Sequence, residues 1–164
     1  MKKEILLLGN PKLYEVSEPV GKEELSDMSL VIQDLHDTLL AFRQKYHSGR
    51  AIAAPQIGIQ KRLIYMFIDK PIVFINPSIH FLDDEMMLVL DDCMSFPNLL
   101  VKVQRYKKCR IEYLDLTWQR CHMDLEDDLS ELLQHEYDHL DGILATMRAI
   151  DNQSFVIKPL NGGE

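Results

Sequence analysis

Leu133-Gln134-His135-Glu136-Tyr137-Asp138-His139-Leu140-Asp141-Gly142 is the stretch on which the reading of this chain turns. It contains His-Glu-x-x-His. On an α-helix, positions i and i+4 lie one above the other on the same face, so His135 and His139 can grip one metal ion. Glu136, beside them, is placed to exchange a proton with a metal-bound water. The competing reading of the same spacing is an amphipathic helix with two hydrogen-bonded histidines. A third ligand and a substrate site elsewhere in the chain would decide between them.

The surrounding chain bounds the answer. Its 164 residues suit a single domain, residues 1–164, that buries about 70 % of its unfolded surface. No apolar run approaches the roughly 20 residues of a membrane span. The start, Met1-Lys2-Lys3-Glu4-Ile5-Leu6-Leu7-Leu8, is basic then apolar, but the apolar part is too short for a secretory signal, so a cytoplasmic protein is expected. A formal net charge of −8 argues against a broad phosphate-binding surface, and no direct nucleic-acid binding is expected. Cys93, Cys109 and Cys121 are an odd number without disulfide-framework spacing and are expected as thiols, the last two as small hydrophobes on strands.

Upstream of the decisive stretch, residues 4–8 read as a short edge strand or an arm packed on the core. Residues 26–46 carry apolar side chains at Met28, Val31, Ile32, Leu35, Leu39, Leu40 and Phe42, the spacing of an amphipathic helix, with Ser26 or Asp27 as its cap. His36 lies on this helix as a surface or core histidine. Small residues then crowd into Gly49-Arg50-Ala51-Ile52-Ala53-Ala54-Pro55-Gln56, either a tight crossover loop or a backbone that lets a ligand come close, with Gly49, Ala51 and Ile52 the candidates to meet it. From Arg62 to Met123 the pattern is β: 63–68, 71–77, 79–81, 86–90, 108–115 and 120–124. The predicted class is α+β, with antiparallel β-sheets packed around a central His-Glu-x-x-His helix and one further helix N-terminal to them.

A catalytic zinc or iron site needs three protein ligands and an open position. Of the free candidates, Cys93 stands apart: in Asp91-Asp92-Cys93-Met94-Ser95-Phe96-Pro97 it follows a strand where the chain must turn. No histidine follows Gly142, and the acids Asp151 and Glu164 lie beyond a turn, so Cys93 is the preferred third ligand. Two imidazoles and a thiolate leave the fourth position for a water acidified toward neutrality.

Three segments together resemble the peptide deformylases. That family carries, in this order, a Gly-x-Gly-aliphatic-Ala-Ala-Pro-Gln segment, a Glu-Gly-Cys-Leu-Ser segment and a Gln-His-Glu-x-Asp-His-Leu-x-Gly helix. Here they read Gly49 to Gln56, Asp91-Asp92-Cys93-Met94-Ser95, and Gln134 to Gly142; Leu13-Tyr14-Glu15-Val16-Ser17-Glu18-Pro19-Val20 also looks like the family's opening. The resemblance implies one divalent metal held by Cys93, His135 and His139, ferrous iron in the cell, with zinc, nickel or cobalt as substitutes. It implies Glu136 as general base and then acid. It implies an oxyanion hole made by the Gln56 side-chain amide and the backbone N–H of Met94. The reaction implied is release of formate from an N-formylated peptide or nascent-chain N-terminus.

Four departures follow from the same alignment of motifs. Ala51 replaces the second family glycine, at a cost of about 1 kcal/mol if φ > 0 is needed there. Asp91 and Asp92 replace Glu-Gly; Asp91 keeps the charge on a shorter stem and can still pair with Arg105. On the metal helix Leu132, Glu131 and Asp128 are i−3, i−4 and i−7 from His135 and share its face, where the family keeps mostly apolar residues that line a methionine pocket. Asp128-x-x-Glu131 is also a capping pattern, with Asp128 as N-cap and Glu131 reaching back. After Arg148 the tail, with Asp151, Pro159 and Gly162-Gly163, has no long helical pattern, so ribosome docking by a helical tail is not expected.

The sequence therefore reads as a deformylase-type metallohydrolase. Its rivals are a deformylase-like enzyme for polar or cationic N-formyl substrates, a zinc endopeptidase, and a catalytically idle peptide-binding relative with a closed structural metal site.

Overall fold

In the computed structural model, which describes residues 1–159, two helices and eight strands follow one another as α1 (Leu25–Tyr46), β1 (Ala51–Ala53), β2 (Leu63–Phe67), β3 (Pro71–Phe81), β4 (Met86–Asp91), β5 (Leu99–Tyr106), β6 (Lys108–Leu114), β7 (Arg120–Glu126), α2 (Asp128–Leu140) and β8 (Phe155–Ile157). The strands form a five-stranded sheet, β1-β2-β3-β6-β7, and a three-stranded sheet, β4-β5-β8. Every strand pair is antiparallel. The class is α+β. Gly162 and Gly163, named for the tail, lie outside the described residues.

The five-stranded sheet has a helix against each face, and the side-chain period of a strand sorts its residues between them. On β2, Leu63 and Tyr65 join the cluster packed on Leu35 and Leu39 of α1, while Ile64 and Met66 join the cluster packed on Leu133 and Leu140 of α2. This double burial is why β2 is a continuous apolar run without alternation. α2 also touches β5, so it contacts strands of both sheets. A third cluster, with Leu13, Cys93, Phe96, Val101 and Leu144, lies beneath the smaller sheet.

Several local expectations are revised. The first helix begins at Leu25 behind a short 3-10 helix, Lys22–Glu24, so Ser26 and Asp27 lie inside it and cap nothing. Glu24 closes the entry instead, accepting the Gly21 N–H at 2.7 Å. Residues 51–53, read as a loop or ligand-approach segment, form β1 against β2, with Ala51 opposite Met66. Ala51 is not among the residues with positive φ, so its Cβ carries no backbone strain. β3 is one strand rather than two. Its register shifts between Ile75 and Ser78, where Asn76 takes φ 48° and its side-chain amide bonds both backbone groups of Val20. β5 and β8 are strands that the sequence reading did not single out. Residues 4–8 form an arm: the Leu6 N–H donates to the Gln56 carbonyl at 2.8 Å and the Leu8 N–H to the Ser95 carbonyl at 2.9 Å.

α2 is held at both ends by the residues of its motif. The Gln134 amide clasps the end of β5, accepting from the Tyr106 N–H at 3.1 Å and donating to the Tyr106 carbonyl at 2.7 Å. At the other end Arg62 donates to the Leu140 carbonyl at 3.0 Å and pairs with Asp141 at 2.9 Å, satisfying a helix terminus. Gly142 leaves the helix at φ +70°, and a Cβ there would lie 2.5 Å from the Tyr14 carbonyl oxygen, so only glycine fits.

Candidate metal centre

His135 and His139 stand on consecutive turns of α2, and Cys93 stands two residues beyond the end of β4. All three are buried. The His139 Nε2 lies 3.2 Å from the His135 Nε2 and 3.3 Å from the Cys93 Sγ. All three donor atoms fall within 4.8 Å of one another. Two nitrogens and a sulfur bound to one tetrahedral ion sit about 3.3–3.6 Å apart, given metal–ligand lengths near 2.0–2.3 Å. The donor set therefore fits a divalent ion.

The electrostatics agree. Burial disfavours charge on His135, but Asp91 and the Cys93 sulfur outweigh it and raise its pKa well above the usual histidine value. Burial and the charge of His135 push His139 well below it. Positive charge is thus favoured on His135 by its acidic neighbours and disfavoured on His139 beside it. The ring edges facing away differ: the His135 Nδ1 is 2.9 Å from the Asp91 Oδ1, an ionic contact without hydrogen-bond alignment, whereas the His139 Nδ1 has no partner among the described residues.

Behind the donors runs a buried ion network. Arg105, almost without solvent exposure, donates to Asp91 at 2.7 Å and to Asp138 at 2.6 Å. Asp138 also accepts from Arg148 at 2.6 and 2.8 Å. Burial opposes ionisation of Asp91, but His135 and Arg105 prevail and hold its carboxyl down to about 2. The motif on α2 divides by face: His135, Glu136 and His139 turn to the site, while Gln134 and Asp138 tie the helix to β5 and its surroundings.

Glu136 is fully enclosed, and its Oε2 has no hydrogen-bond partner among the described residues. Burial pushes its carboxyl up to about 7. Gln56 sits on a short 3-10 helix, Ala54–Ile57, begun by Pro55. Its Oε1 accepts the Ala53 N–H at 2.9 Å, which turns the Nε2 toward Ser95 Oγ at 3.1 Å and Cys93 Sγ at 3.6 Å. The Met94 N–H makes no hydrogen bond among the described residues.

Glu136 and Met94 border a cleft of about 470 Å³, whereas Gln56 and His139 are buried and are not among its lining residues. Gly49, Ala51, Asp91, Met94, Glu131 and Leu132 line it together with Cys93, His135 and Glu136. Gly49 holds φ +119° there, with the Phe42 ring 3.3 Å from where a Cβ would stand. Burial, with the charge of Asp91, pushes Glu131 up to about 7.

Two predicted substrate residues are not in the cleft. Ile52 has no solvent exposure and packs on the α1 side, because β1 directs its side chain opposite to Ala51. Asp128 lies two turns from His135, about 10 Å along the axis, and its exposed carboxylate pairs with Arg50 at 2.9 Å. The capping reading also fails: Asp127 is the N-cap, no side chain caps the helix, and Glu131 does not reach back. The expected Asp91–Arg105 pair is present, and the extra carboxylate of Asp92 reaches Lys158 at 3.3 Å. The sequence reading missed the Phe42, Arg43, Phe67 and Lys158 walls of the cleft, which come from distant segments with no local motif.

The comparisons agree with this geometry. A family model described as polypeptide deformylase matches residues 2–155. A peptide deformylase of Pseudothermotoga lettingae is 34 % identical over 158 residues, 96 % of this chain and 89 % of that protein. One of Bartonella tribocorum is 35 % identical over 149 residues, 85 % of this chain and 80 % of its own. Among solved structures, peptide deformylase from Thermotoga maritima superposes with a TM-score of 0.83 at 29 % identity, covering 92 % of this chain and 99 % of that one. A Met-Ala-Ser-bound class I type b peptide deformylase from Acinetobacter baumannii gives 0.81 at 27 % identity, covering 90 % and 98 %.

Proposed function

The chain belongs to the peptide deformylase family, and from that premise we propose that it hydrolyses the formyl amide at the N-terminus of N-formylated peptides, nascent chains among them, releasing formate and a free amine. The observation that carries the proposal is the convergence of the two Nε2 atoms and the Cys93 Sγ at the cleft, with the enclosed Glu136 beside them. Cys93, His135 and His139 would hold one divalent ion. When bound, such an ion supplies Lewis acidity, acidifying water and polarising a carbonyl. Iron(II) is the proposed cellular metal; zinc, nickel and cobalt suit the same donors.

The protein's own groups do the rest. Glu136 takes a proton from the attacking water and delivers it to the departing amine nitrogen. Its carboxyl, poised near 7 by burial, suits both duties. Gln56 Nε2 and the Met94 N–H bind the formyl oxygen as charge builds on it, a contribution of roughly 3–4 kcal/mol for one such donor. Asp91 orients His135, and Arg105 holds Asp91. The peptide lies along β1 and Gly49. The Acinetobacter relative with bound Met-Ala-Ser supports peptide occupancy of this cleft. Residues 1–164 act as one catalytic domain, in keeping with α2 touching both sheets. The cytoplasm, where nascent chains emerge, is the proposed location, and no helix among the described residues is long and apolar enough to cross a membrane.

The test is direct. Protein loaded anaerobically with Fe(II), or with Ni(II), is expected to release formate from formyl-peptides at a rate lost on chelation. No formate from any N-formyl amine would overturn the proposal.

A further inference from the structure

Charge in the cleft does not balance. Its arginines and its lysine are all engaged: Arg50 pairs with Asp128, Lys158 with Asp92, and Arg43 spends its guanidinium on the Gly49 and Phe67 carbonyls. Asp91 is taken by Arg105 and His135. Glu131 is left over. It lines the cleft, is part-buried, and its carboxylate has no hydrogen bond or ion pair among the described residues. A desolvated carboxylate with no contact partner is costly, and only the more distant charges of Arg50 and His135 offset that cost.

Its place gives the missing partner a chemistry. Glu131 sits four residues, about 6 Å along the helix axis, before His135. In any N-formyl amino acid the side chain leaves a carbon two bonds from the formyl carbon, so a first side chain directed toward the start of the helix passes over the turn that carries Glu131. Leu132, Met94 and Phe42 line the same cleft and offer apolar surface suited to an alkyl stem.

We propose that the cleft selects N-formyl substrates whose first side chain ends in an ammonium on an unbranched stem, lysine-like in place of methionine, with Glu131 the residue that reads it. The proposal rests on the deformylase reading.

The test compares formyl-Lys-Ala-Ser, formyl-norleucyl-Ala-Ser and formyl-Met-Ala-Ser. Norleucine is the lysine stem without its nitrogen. For the metal-loaded protein, kcat/KM is expected to favour lysine over norleucine by about tenfold or more, the value of one close charge pair. E131Q is expected to remove most of that preference and E131I to reverse it. Dissociation constants of the deformylated products Lys-Ala-Ser and norleucyl-Ala-Ser should follow the same order, read by calorimetry without turnover. A wild-type preference for norleucine, or a lysine preference that survives in both variants, overturns the role of Glu131. Absence of formate from all three peptides overturns the deformylase reading instead, and the product affinities still decide on Glu131.

Discussion

The two ends of α2 are built under different rules. From Gln134 to Leu140 nearly every side chain is buried, and most polar groups have partners on other elements. From Asp128 to Leu132 only Ser130, buried and donating to the Tyr106 carbonyl at 2.9 Å, is fixed in this way, while Asp128 is exposed with one ionic partner, the Glu131 carboxylate has none, and Leu132 is part-buried. The last turns must hold donor atoms to a fraction of an ångström, which takes many partners. The first turn needs only to present a surface to whatever side chain arrives, and it keeps unspent bonding capacity for that purpose. One helix thus joins fixed chemistry to adjustable recognition.

The comparison can be broken most decisively at Glu136. Glu136→Gln is expected to lower kcat by about 10²–10⁴-fold while metal content, measured by elemental analysis, stays at one ion per chain. Because its Oε2 is buried and unpartnered, the variant should melt no lower than the wild type, as checked by calorimetry. Next comes Arg105→Met, which leaves Asp91 with His135 alone and Asp138 with Arg148 alone. It should cost about 3–5 kcal/mol in chemical denaturation. If folded, it should bind metal roughly 10–100-fold more weakly. Gly142→Ala should cost about 3 kcal/mol or more, since a Cβ meets the Tyr14 carbonyl at 2.5 Å and φ is positive. Chelation should lower the melting temperature and restore it on adding metal, with a shift that grows with free metal concentration. At the quiet end, Asp128→Ala removes only an exposed ion pair and should change stability by less than about 1 kcal/mol. A larger effect there would mean that the first turn is not as loose as its contacts imply.

The same contrast explains what the sequence made legible. His135, Glu136 and His139 follow from helical spacing, and Cys93 from being a thiol at a strand end, because each carries its chemistry in a local pattern. The fold class follows from the alternation in β6 and β7. β5 hides because Arg105 points inward where an apolar residue would keep the period, and its partners, Asp91 and Asp138, come from β4 and α2. β1 and β8 are three residues each, too short to show any period. Ile52 was misplaced because a small-residue segment does not reveal which face a strand will give away. Asp128 was misplaced because sharing a helical face does not mean sharing a depth. Glu131 was read as pocket-facing, and the carboxylate does line the cleft.

The N-terminal arm carries no chemistry, yet it bridges the segments of Gln56 and Ser95 through the amides of Leu6 and Leu8. Those contacts span sequence separations of 50 (6 to 56) and 87 (8 to 95). During synthesis the arm emerges well before its partners, the second of them 87 residues later, and closing so long a loop is entropically slow to reward. The beginning of the chain is therefore the last to lock. By the same token it is the first to let go: in hydrogen exchange the Leu6 and Leu8 amides should open ahead of β2, loosening the segments of Gln56 and Ser95 while the ion network behind the donors stays shut.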